Sequence, residues 1–119
     1  MFIEHLRSKN KLSTTLYKIS ENNNLFISSV TLYELYMGAT TDAKQRDVKL
    51  IIDNFTILSF TDFIATRAAM VYHHLRLTNK MIEFRDLFIA ATCIVHELPI
   101  LTLNKKHFER IDELEIVAL

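Results

Sequence analysis

The 119-residue chain has one cysteine, one glycine and one proline. A single cysteine, Cys93, excludes an intrachain disulfide and a cysteine-ligated metal cluster, and is the usage expected of a protein in a reducing cytoplasm. A single glycine, Gly38, excludes the glycine-rich loops that cradle phosphates with backbone N–H groups. Charge of one sign is also lacking: Lys+Arg 14 balance Asp+Glu 14, for a formal net charge of zero. That excludes a strongly basic, general nucleic-acid binder but leaves room for an enzyme that holds a nucleic acid through a local patch and a metal ion. No apolar run approaches the roughly 20 residues needed to span a bilayer, so no membrane association is expected. The first residues, MFIEHLR, meet charge at once and show no signal-peptide core. Repeats, low-complexity tracts and linkers are absent as well. Residues 1–119 therefore read as one domain.

Half of the chain is apolar, enough to bury a core. Apolar residues at 2, 3 and 6 fit the start of a helix. Leu16, Tyr17 and Ile19 suggest another over 13–22, capped by Ser13 and stopped at Asn22-Asn23-Asn24. Residues 25–28 read as a buried strand, 29–39 as a helix ended by Gly38, 42–54 as a second helix and 56–60 as a strand. Thr61 and Asp62 are capping types for a helix over 63–77, whose buried side would be Ala65, Ala68, Ala69, Val71, Tyr72 and Leu75. After a loop at 78–80 comes a helix over 82–96, then a strand at 99–102, one helical turn within 105–110 and a last strand at 114–119. Short apolar strands alternating with helices predict βαβ units, a parallel sheet and helices on both faces. In such sheets the functional crevice lies beyond the carboxyl ends of the strands.

The segment 82–96, IEFRDLFIAATCIVH, is apolar on nearly every side and predicts a buried helix. Its one acid, Asp86, shares a face with Ile89, Ala90, Cys93 and Ile94. An inward carboxylate is costly unless paired, hydrogen-bonded or bound to a metal. A plain alternative is that Asp86 caps the helix or sits in its first turn, where the macrodipole favours an anion. Glu34 comes after the strand at 25–28 and has its own plain alternative, a capping box Thr31-x-x-Glu34. If the two acids converge, their mutual repulsion is relieved by a hard divalent cation. Mg²⁺ takes one or two protein carboxylates and keeps several waters, leaving positions for phosphate oxygens. Such an ion can activate water and stabilise a leaving oxygen in phosphodiester cleavage.

Other polar residues carry less. His73 and His74 are adjacent, so on a helix they diverge by about 100°. His5, His96 and His107 are isolated and lack zinc-site spacing. Tyr33 and Tyr36 read as core and rim rather than as base-stacking platforms, and Asp112, Glu113 and Glu115 as a solvated turn.

Three separated stretches resemble one family. FISSVTLY followed by Glu34-Leu-Tyr-Met-Gly38, then Arg85-Asp86-Leu-Phe-Ile-Ala-Ala91, then Leu101-Thr-Leu-Asn104-Lys-Lys-His-Phe108 are similar to the PIN-domain toxins of VapC type, in that family's order and spacing. The resemblance implies a three-layer α/β/α fold with a central, mainly parallel sheet. It also implies an endoribonuclease dependent on Mg²⁺ or Mn²⁺, a small VapB-like antitoxin partner, a homodimer and a cytoplasmic location. By resemblance Glu34 and Asp86 are two of the acids and the metal ligands, with Asp86 the firmer. Asn104, with His107, stands where members often carry an acid, and could orient a water or phosphate. The family also opens with a strand ending in Asp-Thr-Asn, whose Asp is a main metal ligand. MFIEHLR matches the segment that comes after this strand in the family. The strand, normally central, is thus expected to be missing, the domain to be N-terminally truncated and Glu4 to be no substitute for the Asp. A catalytically impaired PIN-like module that binds an antitoxin or itself is the alternative function. A structural domain whose acids are only caps is a third.

Overall fold

Where an Asn or Pro breaks the helical pattern, the short apolar run beside it becomes a strand, and where a Ser or Thr comes after the run, a helix begins. The computed structural model describes residues 2–3, 24–102 and 104–118. In chain order these form β1 (Phe2–Ile3), β2 (Phe26–Ser28), α1 (Ser29–Gly38), α2 (Asp42–Ile52), β3 (Thr56–Leu58), α3 (Asp62–Leu77), α4 (Phe84–Val95), β4 (Ile100–Thr102), α5 (Lys105–Phe108) and β5 (Ile116–Ala118). The expected helix over 13–22 lies outside the described residues.

The five strands form one parallel sheet in the order β3-β2-β1-β4-β5. The missing central strand is therefore corrected. Phe2 pairs with Phe26 on one side and with Ile100 on the other, and Ile3 with Leu101. The helix expected to start at Phe2 gives way to a strand because the slot between β2 and β4 leaves two rows of backbone groups that only an extended segment can satisfy. From β1 the chain winds outward to β2 and β3. It then crosses back to β4 and winds the other way to β5. Right-handed crossovers put the two sets of helices on opposite faces, which gives the α/β/α layering. None of the helices among the described residues is long and apolar enough to cross a membrane.

The core lies between α3, α4 and the sheet. Ile64, Ala68, Val71 and Leu75 of α3 meet Leu87, Ile89, Ala90, Ala91 and Cys93 of α4, with Ile100, Phe108, Ile111 and Leu114 closing it. Alanines at 68, 90 and 91 let the two helices approach closely. Burial of α4 is not complete on every side: Asp86 and Leu87 of its first turn are buried, but Phe84 is 66% exposed. Ala65 and Ala69 of α3, expected on its buried side, are likewise exposed, and Tyr72 is half-buried. Tyr33 and Tyr36 are exposed, so neither belongs to the core. Burial deep in α4 pushes the Cys93 thiol well above its ordinary pKa, which makes it a packing residue and no nucleophile.

With one glycine in the chain, helix ends use other residues. Asn79 (φ 56°) and Glu97 (φ 54°) take the left-handed position after α3 and α4. Lys80 N–H then donates to Leu75 O and Leu98 N–H to Cys93 O, closing two Schellman motifs. Asparagine tolerates this conformation readily; glutamate adopts it at a steric cost. Glu97→Gly is expected to stabilise the fold by about 1 kcal/mol, read as a higher urea midpoint at unchanged m.

Candidate active site

The order of the strands fixes where a site can form. The connection from β1 leads to β2 on one side, and that from β4 leads to β5 on the other. Between their carboxyl ends the sheet topology switches, and in such sheets the functional crevice lies there.

Three elements enter it. The first is α1, whose start is set by Ser28 at the end of β2. Ser28 Oγ accepts from Thr31 N–H at 3.0 Å and donates to Thr31 Oγ1 at 3.1 Å. The N-cap is thus Ser28 and its partner is Thr31, so the capping box Thr31-x-x-Glu34 is corrected: Glu34 is in mid-helix, free of capping duty. The second is the first turn of α4. Its N-cap is Glu83, which makes no side-chain cap bond, and Asp86 is the third residue of the helix. Asp86 does not cap, yet its side chain is fully buried. The first-turn position remains favourable for an anion. The third element is α5. Thr102 at the end of β4 accepts from Asn104 N–H at 2.9 Å, and Asn104 is the N-cap of the helix that carries His107.

Two of these elements, α1 and α4, meet at Arg85, a residue of the Arg85–Ala91 motif to which the sequence reading gives no role. Its Nη1 donates to Glu34 Oε2 at 2.8 Å. Its Nε and Nη2 share Asp86 Oδ1 at 3.4 and 3.3 Å. The other oxygen, Asp86 Oδ2, is 3.0 Å from His107 Nδ1. His107, isolated in sequence, is thus brought to the acid from 21 positions away. Glu34 and Asp86 do meet, as expected, but around a guanidinium. Asn104 stands one turn before His107 on α5, and its backbone carbonyl accepts from His107 N–H at 3.2 Å. Glu4 lies outside the described residues. Among the described residues no buried side-chain nitrogen or oxygen lacks a partner.

Burial makes the arrangement consequential. Glu34 and Arg85 side chains are only 21% and 27% exposed, so their pairing with the buried Asp86 is less screened than that of a surface ion pair. Arg67 and Glu113 are such a surface pair, 2.6 Å apart and well exposed. A hard cation suits the two carboxylates chemically, and the guanidinium already occupies the place of a cation between them. Among the described residues no group of three or more His, Cys, Asp or Glu is gathered for a metal. Two carboxylates are as much as an ion that keeps most of its waters takes from a protein.

An α/β domain with acids drawn together over the switch point of a parallel sheet is the class that this geometry defines. The chain belongs to the PIN domain family, whose model matches residues 1–114. Among curated proteins, it is 32% identical over 115 residues to Ribonuclease VapC10 of Mycobacterium tuberculosis, covering 97% of this chain and 86% of that one. To Ribonuclease VapC of Rickettsia bellii it is 33% identical over 118 residues, covering 93% and 87%. Among solved structures, the fold matches a chain of the VapBC2 complex from Rickettsia felis bound to a promoter DNA fragment. The TM-score there is 0.87 at 22% identity, over 98% of this chain and 97% of that one. The likeness to VapC-type PIN domains read from the three motifs is shown by these matches.

Proposed function

We propose that the chain is an RNA-cleaving toxin of a type II toxin–antitoxin pair, an endoribonuclease that uses Mg²⁺ or Mn²⁺ held by Glu34 and Asp86. The observation that carries this reading is the convergence of these two acids, from α1 and α4, at the sheet's switch point in a chain related to proteins named ribonucleases. When bound, the ion would supply an activated water and stabilise the leaving oxygen of a phosphodiester. The protein's own part is to hold the two carboxylates in one place, to keep Asp86 dry and oriented through His107, and to set Asn104 at the rim where it can orient a water or phosphate. Buried groups positioned in advance need no reorganisation during reaction.

A small antitoxin of VapB type is the proposed partner. Its support is the toxin–antitoxin complexes among the structural relatives and an apolar groove of about 340 Å³. Phe60, Ala68, Tyr72, Phe84 and Phe88 line the groove. Phe88 meets Phe60 edge-on at 4.9 Å and stacks with Phe84 at 6.5 Å, so the rings are already fixed when a partner's apolar side chain arrives. Homodimer formation and action in the cytoplasm complete the reading.

One observation favours a second reading, a metal-poor binding module. Both oxygens of Asp86 already have protein partners. Cleavage of single-stranded RNA with added Mn²⁺, against an EDTA control, separates the two. The nuclease reading expects cutting that EDTA stops. No cutting at any Mn²⁺ concentration, with antitoxin binding intact, would leave the module.

A further inference from the structure

Arg85 holds two acids from different elements with one guanidinium. A single Arg bridging a fully buried Asp86 and a largely buried Glu34 is unlike the exposed one-to-one pair of Arg67 with Glu113. Two carboxylates this close to one group repel each other and require a cation. Where the site is dry, an unpaired carboxylate is costly enough that some counter-charge must always be present. In the arrangement seen here that counter-charge is Arg85. Its donors take Glu34 Oε2 and Asp86 Oδ1. A divalent ion placed on the same oxygens would meet the guanidinium's positive charge at a few ångströms in a medium far less screening than water.

We propose that Arg85 is a built-in counter-cation that holds the Glu34–Asp86 pair closed and competes with the divalent ion for it. The proposal rests on the reading of Glu34 and Asp86 as metal-holding acids. It explains how a domain with a fully buried carboxylate stays folded before any ion arrives, because the chain itself places one positive charge between the two acids. It makes metal affinity a property of the residue beside Asp86 as much as of the acids. Loading with metal then requires the guanidinium to give up two carboxylates, so the ion binds more weakly than the two acids alone would hold it. His107, on Asp86 Oδ2, is on the other side of the carboxylate and keeps its orientation when Oδ1 changes partner.

The test is isothermal titration of Mn²⁺ into the full chain, with thermal melts in the presence and absence of the ion. Variants are Arg85→Met, which removes charge and donors, and Arg85→Gln, which keeps donors to help hold the fold. Arg67→Gln serves as a surface-charge control. Competition expects both Arg85 variants to bind Mn²⁺ about tenfold more tightly than the parent, the effect of one charge interaction on the scale of a pKa unit. It also expects them to melt lower without metal and to regain more on adding it, with Arg67→Gln unchanged. An Arg85 that only braces the structure would lower the melt without tightening Mn²⁺ binding, and that result overturns the proposal. Equal affinity in folded parent and variants overturns it alone. No Mn²⁺ binding by any folded chain overturns the metal reading of the acids and this proposal with it. If Arg85→Met does not fold, Arg85→Gln decides.

Discussion

Asp86→Asn is expected to lower single-turnover RNA cleavage by about 100-fold or more at saturating Mn²⁺, with the fold retained. Asparagine has the shape of aspartate and can still meet Arg85 and His107, but it carries no charge to hold a cation, and a missing charge at the reacting centre is typically worth several kcal/mol of transition-state stabilisation. Stability separates the roles further. A carboxylate strained only by repulsion from Glu34 would leave the protein unchanged or more stable when removed, and a simple cap would lose about 1 kcal/mol. The geometry supports neither. Each Asp86 oxygen has a partner, and the group is fully buried. Asp86→Ala should therefore cost roughly 3 kcal/mol, because it leaves Arg85 half-paired and opens a small void under α4. Asp86→Asn should cost clearly less. Urea denaturation of both variants beside the cleavage assay checks this. Full activity in Asp86→Asn would remove Asp86 from the chemistry.

Much of this was legible in the sequence, for physical reasons that can be named. Strands β2, β3, β4 and β5 announced themselves as short apolar runs between turn-forming residues, and α3 and α4 as long apolar segments with a capping Thr61 for α3. Glu34 and Asp86 stood out because acids on apolar faces have few inexpensive explanations. What failed to show was whatever depends on partners distant in the chain. Phe2–Ile3 carries too few residues to show a period of two, and becomes a strand only because β2 and β4 flank it. Ser28 outcompeted Thr31 as the cap because it sits at the very end of β2, where the chain turns. Arg85 looked like an ordinary polar residue beside the acid. Its reach to Glu34, 51 positions away, is visible only in three dimensions, although a pair of inward acids with no visible counter-charge was a signal to look for one. His107 is isolated in sequence, with only the family resemblance placing it near the site, and the fold supplies Asp86 as its partner.

Phe108→Ala is expected to be among the most destabilising single changes in the chain, costing about 3–5 kcal/mol of a total that for a domain of this size is of order 5–15 kcal/mol. Phe108 is fully buried and ends α5, a helix of 4 residues. One helical turn has no stability of its own, since nucleation is unfavourable and only one or two bonds repay it. What holds α5 against the sheet is Phe108 itself, with Ile111 and Leu114 just beyond it in the same core. The neighbouring His107 reaches Asp86 from that turn, so the ring that anchors the core also aims the imidazole at the acid. Truncation should thus loosen the site as well as the fold. Amide hydrogen exchange over residues 105–111 should quicken well beyond the change seen in α3, while Phe108→Leu, which keeps most of the volume, should cost under about 2 kcal/mol and preserve protection. A Phe108→Ala protein with an unchanged urea midpoint would mean that α5 is held by something other than this buried ring, and His107 would then owe its position to the contact with Asp86 alone.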